Sequence, residues 1–169
     1  MKTVLAILLF AGVSFIRAQE PMKISSPAFA DGGKIPAVYT ADGKDVNPPL
    51  LISGVPAGAK SLLLIVDDPD APMGTWTHWL LWILKPDLKE IPEASVPPGA
   101  MQGTNDFRKS NYGGPAPPSG VHRYFFKLYA LDELLDLPAT TNRKALDKAI
   151  HGHVMGEAQC MGTYEGARN

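Results

Sequence analysis

Two histidines, two aspartates and a tyrosine stand where they could meet around one ligand. Asp68 and Asp70 lie in the run DDPDAP, His78 follows in TWTHW, and His122 and Tyr124 close the stretch SNYGGPAPPSGVHRY. Imidazoles gain charge near neutral pH, and a carboxylate such as Asp68 can orient one or hold it protonated. Tyr124 adds a hydroxyl. Gly113 and Gly114 leave backbone amides bare, which can turn towards an anion as a nest does. Trp76 and Pro115 supply apolar walls. Such a set suits a phosphate or carboxylate held at one end of a small ligand. On residues 110–124 alone, a rigid turn before an edge strand, with a hydrogen-bonded histidine, also accounts for the pattern.

Other chemistries use the same residues less well. His78, His122 and Asp68 could form a facial metal site for a metal-dependent hydrolase. No HExxH or comparable ligand spacing accompanies them, however. No GxSxG occurs, and Ser119 sits in a proline-rich turn with no base beyond His122. Protease inhibition remains an open alternative. His151 and His153 resemble a metal pair, but two residues apart on a helix they point about 200° apart. One buried and one exposed histidine is the simpler expectation there. No catalytic residue, metal or cofactor is assigned.

The elements that must position these side chains can be read from pattern. The apolar run SLLLIV, residues 61–66, is bounded by turns and reads as a strand buried on both faces. Pro69 and Pro72 hold Asp68 and Ala71 extended. Residues 76–84 give the next strand, with His78, Leu80 and Trp82 on one face and Trp79, Leu81 and Ile83 on the other. Residues 121–130 form a third, so His122 and Tyr124 share a face and Arg123 takes the other. Residues 50–53 are a short strand, and Phe29 with residues 35–40 are strand candidates between Gly-rich turns. Residues 85–103 form a long proline-rich connection with a short helical turn, and 132–137 a further helical turn. Thr141 caps a helix over 142–155, with Leu146, Ile150 and Val154 as its apolar stripe. A last strand covers 158–164. The sum is a mainly β domain with a helix packed on one side.

The first residues, MKTVLAILLFAGVSFIRAQ, are basic and then apolar, the layout of a signal peptide over residues 1–18. A periplasmic or secreted location follows. The remainder is the size of one domain. A formal net charge of -1 suggests neither nucleic acid nor an anionic membrane as partner. The single cysteine, Cys160, excludes an internal disulfide and reads as a buried apolar residue.

DPDAP, then WTHW, then GGPAPPSGVHRY resemble the phosphatidylethanolamine-binding protein family in its bacterial Raf-kinase-inhibitor-like branch. GHVMGEAQCMGTYEG near the C-terminus is similar to that branch too, and the resemblance spans residues 22–166. It implies two packed antiparallel sheets with one C-terminal helix. It implies a binding protein, not an enzyme, whose partner is a small phosphoryl- or carboxyl-bearing ligand. Asp68, His78, Gly114, Pro115, His122 and Tyr124 match the positions that line the family's anion pocket, and Asp70 and Pro72 those that shape its rim. A protein partner and a homodimer are further expectations of the resemblance. Two positions depart from the pattern: Ala116, where many bacterial relatives carry cysteine, and Thr77, where eukaryotic members often carry a second histidine.

Overall fold

A computed structural model describes residues 20–166. The expected signal peptide lies outside the described residues. Eight strands form two antiparallel sheets. A small sheet joins β1 (Lys23–Ser25), β2 (Leu50–Ser53) and β5 (Glu90–Ile91) in the order β1-β2-β5. The larger one is built from β3 (Ser61–Asp68), β4 (Trp76–Leu84), β6 (Met101–Gln102), β7 (Val121–Leu131) and β8 (Val154–Glu165). Its order is β6-β4-β3-β7-β8, which puts β3 at the centre.

The continuous apolar run of β3 has its explanation in two cores. Leu62, Leu64 and Val66 face the small sheet, together with Ile24, Ile52, Tyr124, Phe126 and Leu128. Leu63 and Ile65 face the other way, under Leu146 and Ile150 of the helical segment. A strand buried on both sides carries no polar alternation, so its period is silent and its composition speaks instead. All eight residues of β3 are buried.

The one α-helix among the described residues, α1 (Arg143–Ala149), is shorter than the sequence pattern suggests. Its cap is Asn142, not Thr141: the Asn142 side chain accepts from the Ala145 amide at 3.0 Å. Gly152, at φ +87°, turns the chain out of the helix. Val154 therefore opens β8 and is exposed, and the last strand runs from 154 rather than 158. Neither His151 nor His153 is buried; His153 pairs through Nδ1 with Asp132 at 2.9 Å. Residues 132–137 are not helical, and the connection 85–103 holds β5 and β6 instead of a helical turn. Residues 37–39 form a 3₁₀ turn where a strand was expected. Pro36 fixes φ and removes a donor just before it. Ile35 and Tyr39 are buried all the same, so the apolar signal was right about packing and wrong about conformation. Cys160 is buried, and burial pushes its thiol up to about 12.

Candidate functional site

Where β3 ends, Asp68 is followed by Pro69 and Asp70. The Asp68 Oδ1 accepts from the Asp70 amide at 2.8 Å, closing an Asx turn. Its other oxygen, Oδ2, accepts from His122 Nδ1 at 2.7 Å. Antiparallel pairing of β3 with β7 sets this contact, since Asp67 lies opposite Phe125 and Asp68 thus reaches the His122–Tyr124 face. Asp68 and His122 are both buried. With both oxygens engaged, Asp68 is not a free ligand for a metal, and the facial site weighed from sequence does not form. Among the described residues no group of three or more His, Cys, Asp or Glu is placed to hold one.

His78 arrives by a different device. Val66 pairs with Trp79 and Asp67 with Thr77, so His78 is an extra residue in β4, a β-bulge. The bulge corrects the simple alternation: His78 does not share a face with Leu80 and Trp82, which pack under α1. It turns instead to the side of Trp79 and Tyr124, with its ring edge-on to Tyr124 at 5.2 Å. A second irregularity does the same to Ile83, whose φ of +59° moves it off the face of Leu81. Thr77 points away from His78, beside Asn142, Arg143 and Asp147, so this departure from the family pattern is remote from the ligand side.

The His78 ring is fixed from behind. Its Nδ1 lies 2.6 Å from the Gly113 carbonyl. A carbonyl only accepts, so Nδ1 carries the hydrogen. The Gly113 amide and the Asn105 side chain both donate to the His78 carbonyl, at 3.1 and 3.2 Å. Burial lowers the His78 pKa, against the opposing pull of the Gly113 and Gly114 carbonyls and of the Asp68 and Asp67 charges. The ring is then neutral near pH 7, with Nε2 as a bare acceptor.

Asp68, Pro72, Trp76, His78, His122 and Tyr124 line one cavity of about 330 Å³. Phe107, Ala71, Met73, Ala116 and Pro118 complete it. Sequence reading missed Phe107, although a lone aromatic in the polar run NDFRKS was a signal. Its ring meets His78 at 5.2 Å and Trp76 at 5.5 Å, both edge-on. Ala116 puts a methyl group on the wall. The Tyr124 hydroxyl is buried without a hydrogen-bond partner, and burial followed by the Asp68 charge raises its pKa.

Three predicted site residues lie elsewhere. Asp70 sits at the rim, where Arg123 donates to it from the backbone amide at 2.9 Å, Nε at 2.9 Å and Nη2 at 2.7 Å. These bonds lower the Asp70 carboxyl to about 2. Gly114 and Pro115 stand behind the cavity wall. The Gly114 amide donates to Asp45 Oδ1 at 2.6 Å, and the Gly113 amide to the His78 carbonyl, so this glycine pair is not an open nest. A Cβ on Gly114 would lie 2.6 Å from the Tyr39 carbonyl oxygen, so close packing requires glycine there. The Pro115 carbonyl accepts from the Ala41 amide at 3.0 Å.

Two antiparallel sheets, with a cavity lined by two histidines, define a mainly β protein. The sequence pattern of the phosphatidylethanolamine-binding protein family matches residues 25–165, and the chain belongs to that family. A UPF0098 protein of Methanothermobacter thermautotrophicus is 51% identical over 148 residues, covering 85% of this chain and 98% of the relative. A crystal structure of a phosphatidylethanolamine-binding protein homologue from Chlamydia trachomatis superimposes with a TM-score of 0.84 at 39% identity, covering 87% of this chain and 99% of that one. Escherichia coli YbcL superimposes with a TM-score of 0.82 at 27% identity, covering 88% and 100%.

Proposed function

We propose that the protein is a binding protein, not an enzyme, for a small ligand with a phosphoryl or carboxyl end. The ligand's anionic end sits against His122 and His78, with the Tyr124 ring beside them, and its body lies against Trp76 and Phe107. One observation carries this reading. A histidine fixed on a carboxylate and a second fixed on a carbonyl line the same cavity. Membership of a family named for a phospholipid supports the phosphoryl alternative. Export to the periplasm or the exterior belongs to the same proposal, on the strength of the basic and then apolar N-terminus.

Mass spectrometry of ligands released from natively purified protein tests the reading, together with calorimetric titration of phosphoethanolamine. The expected result is a stoichiometric small anion and saturable binding. Absence of both overturns it. N-terminal sequencing of the exported protein is expected to begin near Gln19.

A further inference from the structure

The two histidines offer a ligand opposite halves of a hydrogen bond. Each ring is anchored through Nδ1, His78 on the Gly113 carbonyl and His122 on Asp68. Each therefore turns Nε2, its remaining polar atom, to the cavity that both rings line. Among the described residues neither Nε2 has a hydrogen-bond partner, and neither is sealed from the cavity as the Tyr124 hydroxyl is. The anchors differ in kind. A carbonyl carries no net charge, whereas a carboxylate pairs with a cationic ring. His78 is also the more enclosed, edge-on to both Phe107 and Tyr124.

From this geometry we infer that the pocket selects oxyanions that still carry a proton, phosphate monoesters above all, and rejects those that carry none, such as sulfate esters. The inference rests on the anion-binding reading above and specifies it. His78 Nε2 presents a lone pair and needs a donor from the ligand. His122, in its protonated form against Asp68, presents a hydrogen to an unprotonated oxygen of the same group. A monoester monoanion supplies both, through its P–OH and its P–O⁻. Its second ionisation falls near pH 6, so the protonated form is available around neutrality. A sulfate ester of the same shape and charge has only acceptors. It would set an oxygen lone pair against the His78 lone pair, with no water able to intervene at contact distance. The groups that face His78 agree with this assignment. Phe107 and the Tyr124 ring contribute no charge, and the nearby carboxylates are Asp68, held by His122 and the Asp70 amide, and Asp67, held on the other face by Lys127 and Arg143. The lowered pKa of the buried His78 ring is consistent with a bare Nε2.

The test is calorimetric titration of the folded protein at pH 6 with phenyl phosphate and phenyl sulfate. The phenyl group is common to both and fits the Trp76 and Phe107 wall. Phenyl phosphate is expected to bind at least about tenfold more tightly, the scale set by one buried acceptor left unpaired. Nitrogen-15 NMR of the imidazoles provides a reading that needs no variant. At pH 7, His78 is expected as the Nδ1–H tautomer with an unprotonated Nε2, free and with phenyl sulfate present. Equal affinity for the two probes, or a protonated Nε2 in the unliganded protein, overturns the inference while leaving anion binding intact. Failure of both probes to bind overturns the anion-binding reading and this inference with it.

Discussion

Asp67 and Asp68 are consecutive in β3 and bind partners on opposite faces of the sheet. Asp68 turns inward to His122 at 2.7 Å. Asp67 turns outward, where its Oδ2 accepts from Lys127 Nζ at 2.8 Å and Arg143 Nη1 at 2.6 Å. The outward cluster ties β3, β7 and α1 together directly behind the ligand side. Alternation along a strand thus divides one acidic pair into a half tied to the outer cluster and a half turned to the cavity.

This division predicts unlike outcomes for the two neutral isosteres. Asp67→Asn leaves two cations around a fully buried amide and is expected to cost about 3 kcal/mol of stability, the low end for a broken buried pair. Lys127 and Arg143 keep some access to water, at 25% and 27% side-chain exposure, which limits the loss. Ligand affinity of the folded Asp67→Asn protein should change less than about threefold, well under one decade. Asp68→Asn should weaken an anionic ligand by about tenfold and cost less stability. Denaturant unfolding and calorimetry on both variants check the contrast. The reverse pattern would move the functional carboxylate to the outer face.

His78 makes stability depend on pH in a definite sense. Burial lowers its pKa from the ordinary 6.5, so the unfolded chain binds a proton more readily than the folded one. The unfolded state therefore gains as pH falls. Stability is full above about 6.5, then declines as pH drops through 6.5 towards the lower folded-state value. Melting temperatures measured from pH 8 to pH 5 should show this decline, and His78→Gln should flatten it. A wild-type profile that rises on acidification through this range would contradict the buried neutral ring.

Gly114 is held by close packing. A methyl group there would lie 2.6 Å from the Tyr39 carbonyl oxygen and 2.8 Å from both Asp45 Oδ1 and the Thr40 Cα. Two of these neighbours are backbone and cannot give way easily. Gly114→Ala is expected to cost about 1–3 kcal/mol, the range for overpacking. The fraction that stays folded should bind with unchanged affinity. Thermal melts and titration of the same preparation separate the two effects.

The legible and illegible parts of this site follow a physical boundary. Strand identity in β3, β4 and β7 was readable because composition and turns bracket each run. The pairing of Arg123 away from His122 was readable because β7 alternates from Val121 to Ala130. The bulge at His78 was not, since one extra residue leaves no mark in a sequence that is apolar on both faces. The same holds for Gly114, whose glycine answers a close approach from a distant segment, Tyr39 and Asp45. The short α1 was misjudged because Val154 continued the fourfold spacing past Gly152, and the turn at that glycine outweighs the stripe. Phe107 joined the cavity through a loop held by Asn105, a contact that no local pattern announces.

His122 and Arg123 provide the sharpest test of which face binds. They are adjacent on β7 and point apart, His122 into the cavity and Arg123 to Asp70 at the rim. A charge-assisted hydrogen bond from His122 to a bound phosphate is worth about 1.5–3 kcal/mol. His122→Ala is therefore expected to weaken phosphoethanolamine by roughly ten- to a hundred-fold, since 1.4 kcal/mol is one decade. The fold should survive, because Asp68 keeps the Asp70 amide and faces an open cavity. Arg123→Ala should leave affinity nearly unchanged, and its effect should appear in Asp70. Without the guanidinium, the Asp70 carboxyl should climb from about 2 towards its ordinary 3.8. The sign of the accompanying stability change is fixed by that shift. The lowered carboxyl favours the folded state above pH 3.8, and this contribution is lost as pH falls from 3.8 to about 2. Because the pair is largely exposed, the contribution is small and screened by salt. Calorimetry, melts and a carbon-13 titration of the Asp70 carboxyl cover all three expectations. Loss of binding in Arg123→Ala, with His122→Ala unaffected and both proteins folded, would put the ligand on the outer face of β7.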